Sequence, residues 1–142
     1  MIVLMPTELS WSDLLASPRH SAASLHGRDI PKSPGIYAWF KDGECVYVGM
    51  ASVLRERLGK HLSRSLDLSR STLRASIAVR QLGVSRAVAR SRPTVMTPNQ
   101  VQVVNDWLHT CDITWLEREN VAAADELERR LRKEWMPPIN LA

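Results

Sequence analysis

Two tyrosines ten residues apart, Tyr37 and Tyr47, stand with an arginine and a histidine one helical turn apart, Arg57 and His61. With Glu128 and Asn140 they are of the types that phosphodiester hydrolysis draws on. That reaction needs a nucleophilic water, neutralisation of the charge building on the phosphoryl oxygens, and stabilisation of the leaving oxyanion. Arginine holds a phosphate through a planar fork of donors. A carboxylate suits a hard divalent cation that keeps several waters of its own. A tyrosine shuttles a proton when a neighbouring cation lowers its pKa. Taken singly, each residue also has a plainer explanation. The tyrosines could be ordinary strand residues, and Arg57 and His61 a solvated helix face. Glu128 sits among Glu126, Arg129 and Arg130 and could be a surface ion-pair partner worth little. Asn140 could be no more than a cap.

The elements that must position these side chains are legible. Ile36-Tyr37-Ala38-Trp39-Phe40 and Cys45-Val46-Tyr47-Val48-Gly49 are β-rich runs flanking Asp42-Gly43, which predicts a hairpin with a tyrosine near each open end. A helix should follow, capped by Ser52, with Val53, Leu54, Leu58 and Leu62 as its apolar stripe and Arg57 and His61 on one face. Ser71 to Arg90 reads as one or two helices broken at Gly83, Ser91 to Asn99 as a loop, Val101 to Leu108 as a further helix, and Asp112 to Leu116 as a third strand. Val121 to Trp135 is Ala-rich with Leu127 and Leu131 four apart, and Pro137-Pro138 ends it. Before the hairpin, Thr7 to Leu15 predicts a short capped helix, followed by a Ser/His/Gly-rich loop to Asp29.

Composition narrows the classes. The chain has 142 residues, 44% hydrophobic and 24% charged, enough for one domain with a real core rather than a disordered chain. No apolar run approaches the roughly 20 residues a membrane helix needs. The apolar start, Met1 to Met5, is interrupted by Pro6 and Glu8 and lacks a basic leader, so it makes a poor secretion signal and the reading is a cytoplasmic protein. Cys45 and Cys111 lack metal-ligand spacing and read as buried free thiols. The net charge of +4 is unevenly spread: from Arg55 to Arg92 ten Lys/Arg face two acids, Glu56 and Asp67, whereas from Pro93 onward five bases face eight acids. That concentration suits a polyanion partner, with a solvated face that binds nothing as the alternative.

Gly35-Ile36-Tyr37 followed by Tyr47-Val48-Gly49 resembles the paired motif that names the GIY-YIG nucleases, with Val48 in place of the usual Ile. The family's Arg about ten residues after the second tyrosine matches Arg57, and the His that some members carry one turn on matches His61. Its metal-binding Glu, followed by a Pro about nine and an Asn about twelve residues later, matches Glu128, Pro137 and Asn140. The resemblance covers roughly 34 to 64 and 111 to 141. It implies Tyr37 as general base, Tyr47 as its neighbour in positioning water or phosphate, Arg57 on the scissile phosphate, and His61 as a proton carrier or phosphate ligand. It further implies Glu128 as the ligand of Mg2+ (or Mn2+) and Asn140 as the tie between the C-terminal tail and the site. Glu126, two residues from Glu128, lies on another helix face and is the losing rival.

The expected fold is α+β, GIY-YIG-like: a small three-stranded antiparallel sheet flanked by helices. A helical extension over residues 1–30 packs on a nuclease domain at 31–142, which carries a basic helical insert at about 64–110. The insert, longer than in minimal members, holds Arg64, Arg70, Arg74 and Arg80 as nucleic-acid-binding candidates on a helical arm along a phosphate backbone. It has no aromatic residue before Trp107, so it does not stack on bases and reads no sequence. A homodimer or a protein partner is the competing explanation for its apolar positions Leu73, Ile77 and Leu82. The leading function is a divalent-metal-dependent endonuclease, with DNA favoured over RNA by the resemblance alone. The alternative is a non-cutting nucleic-acid-binding module of the same fold within a repair or mobile-element complex.

Overall fold

The computed structural model describes residues 8–141; the apolar start, Met1 to Met5, and Thr7 lie outside them. In chain order the first elements are α1 (Trp11–Ala16), β1 (His20–Ser21), β2 (Gly35–Lys41), β3 (Glu44–Ala51) and α2 (Leu54–Leu62). They are followed by α3 (Thr72–Leu82), α4 (Arg86–Ala89), α5 (Pro98–His109), β4 (Asp112–Glu117) and α6 (Val121–Glu134), with a final 3-10 turn at Pro138–Leu141.

The β2–β3 hairpin forms around Asp42-Gly43, both at positive φ (52° and 82°), as a tight two-residue turn demands. β4 pairs with the other side of β2, so β2 is central and β3 is an edge. Among the described residues the sheet has four strands in the order β1-β4-β2-β3, all antiparallel, one more than the sequence predicts. β1 is only two residues long, too short to carry an alternating pattern. It is set by tertiary contacts: the Ala22 amide donates to the Cys111 carbonyl at 2.9 Å, and the His20 ring stacks on Trp115 with centroids 4.3 Å apart.

Period-two alternation in β2 sorts its side chains to two helical layers. Ile36, Ala38 and Phe40 pack with Leu14 of α1 and Leu127 and Leu131 of α6. Tyr37 and Trp39 face the other way, into a core with Leu54, Leu58, Leu73, Ile77, Val101, Val104 and Leu108 from α2, α3 and α5. Opposite Trp39 and Phe40 the ladder slips by one residue, so that Val46 is extra and Cys45 joins the α6 side while Tyr47 stays with Tyr37.

Two expectations change here. Ser52 does not cap α2: Val53 holds the cap position without a side-chain bond, and the amides of Leu54 and Arg55 donate to the Ser33 and Pro31 carbonyls instead. The loop before the hairpin does what a cap residue would have done, which no local pattern reveals. The insert is also not an arm. α3 starts at the cap Ser71, ends at Gly83 in the left-handed conformation, and packs on α5, so that Leu73 and Ile77 are fully buried within the chain and Leu82 partly. Their apolar character is thus used up within the chain.

Candidate active site

The site lies over the free edge of β3, where the two helical layers meet. An open cleft of about 260 Å3 is lined by Tyr37, Tyr47, Arg57, Glu128 and Asn140, together with Gly49, Thr72 and Arg132. Tyr37 and Tyr47 come from neighbouring strands with ring centroids 6.3 Å apart, Arg57 from α2, Glu128 and Arg132 from α6, and Asn140 from the terminal turn.

Both glycines of the motif are steric necessities. Gly49 lies opposite Tyr37 in the ladder, and a Cβ there would sit on the Tyr37 hydroxyl. Gly35, paired on both sides, would drive a Cβ into the Leu116 carbonyl and to 2.8 Å from Leu54 Cδ1. The first lets the Tyr37 ring lie across β3 toward the cleft, and the second lets α2 close on the sheet.

His61 is fully buried within an aromatic box of Tyr37, Trp39 and Tyr47. Its Nε2 is 2.6 Å from the Tyr37 hydroxyl and its Nδ1 is 2.6 Å from Ser71 Oγ, which also accepts the Arg74 amide as the cap of α3. A residue with no exposed surface cannot touch phosphate, so that part of the expectation for His61 is corrected: it reaches the cleft only through Tyr37. Burial, with Arg57, Arg74 and Lys60 adding to it, pushes its pKa down to about 3. The imidazole is therefore neutral and locks the Tyr37 hydroxyl in place.

This depression has a consequence for stability. The folded pKa lies below the unfolded value of 6.5, so the contribution is present above pH 6.5 and lost as pH falls toward 3. Such a shift corresponds to roughly 5 kcal/mol. Melting followed by circular dichroism from pH 7 to pH 3 should show a steep loss, and His61→Gln should flatten it. His109, lowered in the same direction by burial, keeps part of the slope in the variant. An unchanged slope would mean that His61 does not titrate in this way.

The cation expected to lower Tyr37 does not prevail. Burial raises the Tyr37 pKa well above its ordinary value, Tyr47 and Glu128 add to the rise, and Arg57 only opposes it. Tyr47 meets Thr72 Oγ1 at 3.2 Å. Among the described residues no carboxylate pairs with Arg57, which lines the cleft without an internal ion-pair partner. Asn140 ties the tail to the edge strand: its Oδ1 accepts the Val48 amide at 2.9 Å and its Nδ2 donates to the Val48 carbonyl at 2.8 Å. One side chain thereby satisfies a stretch of β3 that has no partner strand among the described residues.

Glu128 lines the cleft with its side chain 14% exposed, whereas Glu126 is 62% exposed and faces Arg130. No three His, Cys, Asp or Glu side chains converge among the described residues. The donor set for a cation is thus one carboxylate, whose Oε1 also accepts from Arg132 at 3.0 Å. A single carboxylate fits a hard divalent ion that completes its shell with water and phosphate oxygens. Arg132 and Thr72 are cleft residues that sequence reasoning missed; for Arg132 the i+4 spacing from Glu128 was the available signal.

Residues 31–142 match the family model for the GIY-YIG catalytic domain. The chain belongs to the GIY-YIG family. No curated protein gives a match. Membership makes this a nuclease domain whose substrate is nucleic acid, and no described helix is long and apolar enough to cross a membrane. Of the six candidate catalytic residues, Tyr37, Tyr47, Arg57, Glu128 and Asn140 line the cleft, and His61 stands behind it, bonded to Tyr37.

The four insert arginines fare differently. Arg64, Arg70 and Arg80 are exposed, with Arg80 bonded at 3.4 Å to the Pro138 carbonyl. Arg74 is 1% exposed and staples the insert together through Ser65, Asp67 and Asn105, at 2.6, 3.2 and 3.0 Å. It cannot lie along a phosphate backbone, so its assignment as a surface contact is corrected. Helical spacing showed that it recurs with the other arginines, but not that it faces the core.

Proposed function

We propose that this GIY-YIG domain is a divalent-metal-dependent endonuclease, acting on DNA in preference to RNA, with the β3 cleft as its catalytic centre. The observation that carries the reading is the convergence of Tyr37, Tyr47, Arg57 and Glu128 on one cleft from four separate elements. A non-cutting module has no need to hold that set together.

Arg57 would grip the scissile phosphate with two parallel donors. Tyr37, held by His61, would orient the attacking water and, in its phenolate form, take its proton, with Tyr47 steadying water or phosphate beside it. Glu128 would hold Mg2+ or Mn2+, and Arg132 would keep that carboxylate from swinging away. A bound divalent ion offsets charge on the phosphoryl and leaving oxygens. Asn140 would hold the terminal turn, and with it the rim of the cleft, against β3.

Matched DNA and RNA oligonucleotides, incubated with Mg2+ or with a chelator, test the reading. Cutting of DNA in Mg2+ and none under chelation is expected. Arg57→Lys keeps the charge but loses the two-pronged geometry, and turnover should fall by roughly a hundredfold with the fold intact. A lysine variant that cuts at the parent rate would remove Arg57 from the phosphate.

A further inference from the structure

We infer that the depression between the end of α2 and the start of α3 binds a second phosphate of the nucleic-acid strand, and so sets the side on which that strand leaves the cleft. The inference rests on the nuclease reading. The depression, about 140 Å3, is lined by Lys60, Arg70, Ser63, Ser65 and Asp67, with Arg74 buried among them. The Arg74 guanidinium is held between the Ser65 and Asp67 carbonyls, and its Nε is buried without a hydrogen-bond partner. Ser71, the N-cap of α3, is part of the same wall, so the positive end of an 11-residue helix adds to the field. Asp67 is the one acid, and its Oδ1 is occupied by the Ser69 amide at 2.8 Å.

The depression and the cleft are linked by side chains of α2. Arg57 lines both the cleft and a neighbouring hollow on α2, and Lys60 lines that hollow and the depression. Arg57 and Lys60 are three apart and share a helix face. Arg57, Lys60 and Arg70 thus form a track of cations, with Glu56 the acid beside it.

The opposite exit, over the end of α6, is also basic, with Arg129, Arg132 and Lys133. There Arg129 pairs with Asp125 at 3.0 Å and Arg132 with Glu128 at 3.0 Å. Among the described residues neither Lys60 nor Arg70 forms an ion pair. The α2 side thus holds two cations without an ion pair against Lys133 alone on the α6 side, and such cations repel one another less once a phosphate lies between them, so the α2 side is the favoured path.

The test is a binding scan without divalent metal, using single strands in which one phosphate at a time is a neutral methylphosphonate. The parent protein should lose affinity at the scissile position and at one further phosphate on one side. Lys60→Ala/Arg70→Ala, both at exposed positions, should bind the unmodified strand roughly tenfold more weakly with a shallower salt slope. Its sensitivity at the further phosphate should disappear, as expected of partners in one interaction. A double variant that keeps the second sensitive position, or the parent salt slope, overturns the subsite. If Arg57→Ala still abolishes cutting in that case, the nuclease reading stands and only the strand path falls. If the parent binds no strand at all, both fall.

Discussion

Glu128→Gln should reduce cleavage in Mg2+ by a factor on the order of a hundred or more, in line with the loss of a charge-stabilising group. Among the described residues Glu128 supplies the one carboxylate that lines the cleft, and a hard cation needs at least one anionic oxygen from the protein. Glutamine keeps the shape and helix propensity of α6, so the fold should hold. Three further readouts belong to the same variant. Mn2+ binding, followed by water proton relaxation, should collapse. Strand binding should survive or tighten, because a negative charge has left the neighbourhood of the phosphate and Arg132 has lost its internal partner. The Tyr37 phenol should titrate at lower pH than in the parent, because Glu128 is one of the groups that raise it. Unchanged Mn2+ binding would place the cation elsewhere.

Tyr37→Phe should cost cleavage a factor of about 10² to 10⁴, the usual span for removing a positioned proton-transfer group. The change also leaves His61 Nε2 buried without its partner, which should destabilise by about 1–3 kcal/mol. A melt therefore accompanies the rates, and strand affinity should stay near the parent value. The pH dependence separates catalysis from packing. The raised pKa means that the phenolate becomes more populated as pH rises, so the parent rate should climb through the neutral and alkaline range without a plateau below the ordinary tyrosine pKa of 10.0. The phenylalanine variant should lose that climb. A variant that cuts within a few-fold of the parent, with the same pH profile, would leave Tyr37 a structural residue.

The sequence made the hairpin, the last helix and the cleft set readable because their signals are local. Asp42-Gly43 admits a tight turn, Leu127 and Leu131 mark a helix face, and Tyr37, Tyr47 and Arg57 hold fixed offsets within one hairpin–helix unit. The parts that were not readable depend on contacts distant in the chain. β1 exists because Ala22 meets Cys111, and α2 is capped by carbonyls from residues 31 and 33. The burial of Arg74 is decided by Asn105, thirty-one positions away. His61 had the spacing of a site residue, but its lack of exposure follows from Trp39 and α3 closing over it. The pKa of Tyr37 turned on burial, which composition and spacing do not report; a nearby cation was predicted to win and desolvation outweighed it.

The most direct test of the central claim pairs two assays on the same preparation of the full chain: cleavage of supercoiled plasmid and binding of a short strand, each with Mg2+ and with chelator. The account predicts nicked or linear plasmid in Mg2+ only, strand binding in both conditions, and loss of the cutting alone on adding excess chelator. Binding in both conditions with no cutting in Mg2+ or Mn2+ would contradict it, and would leave a GIY-YIG fold that holds nucleic acid without breaking it.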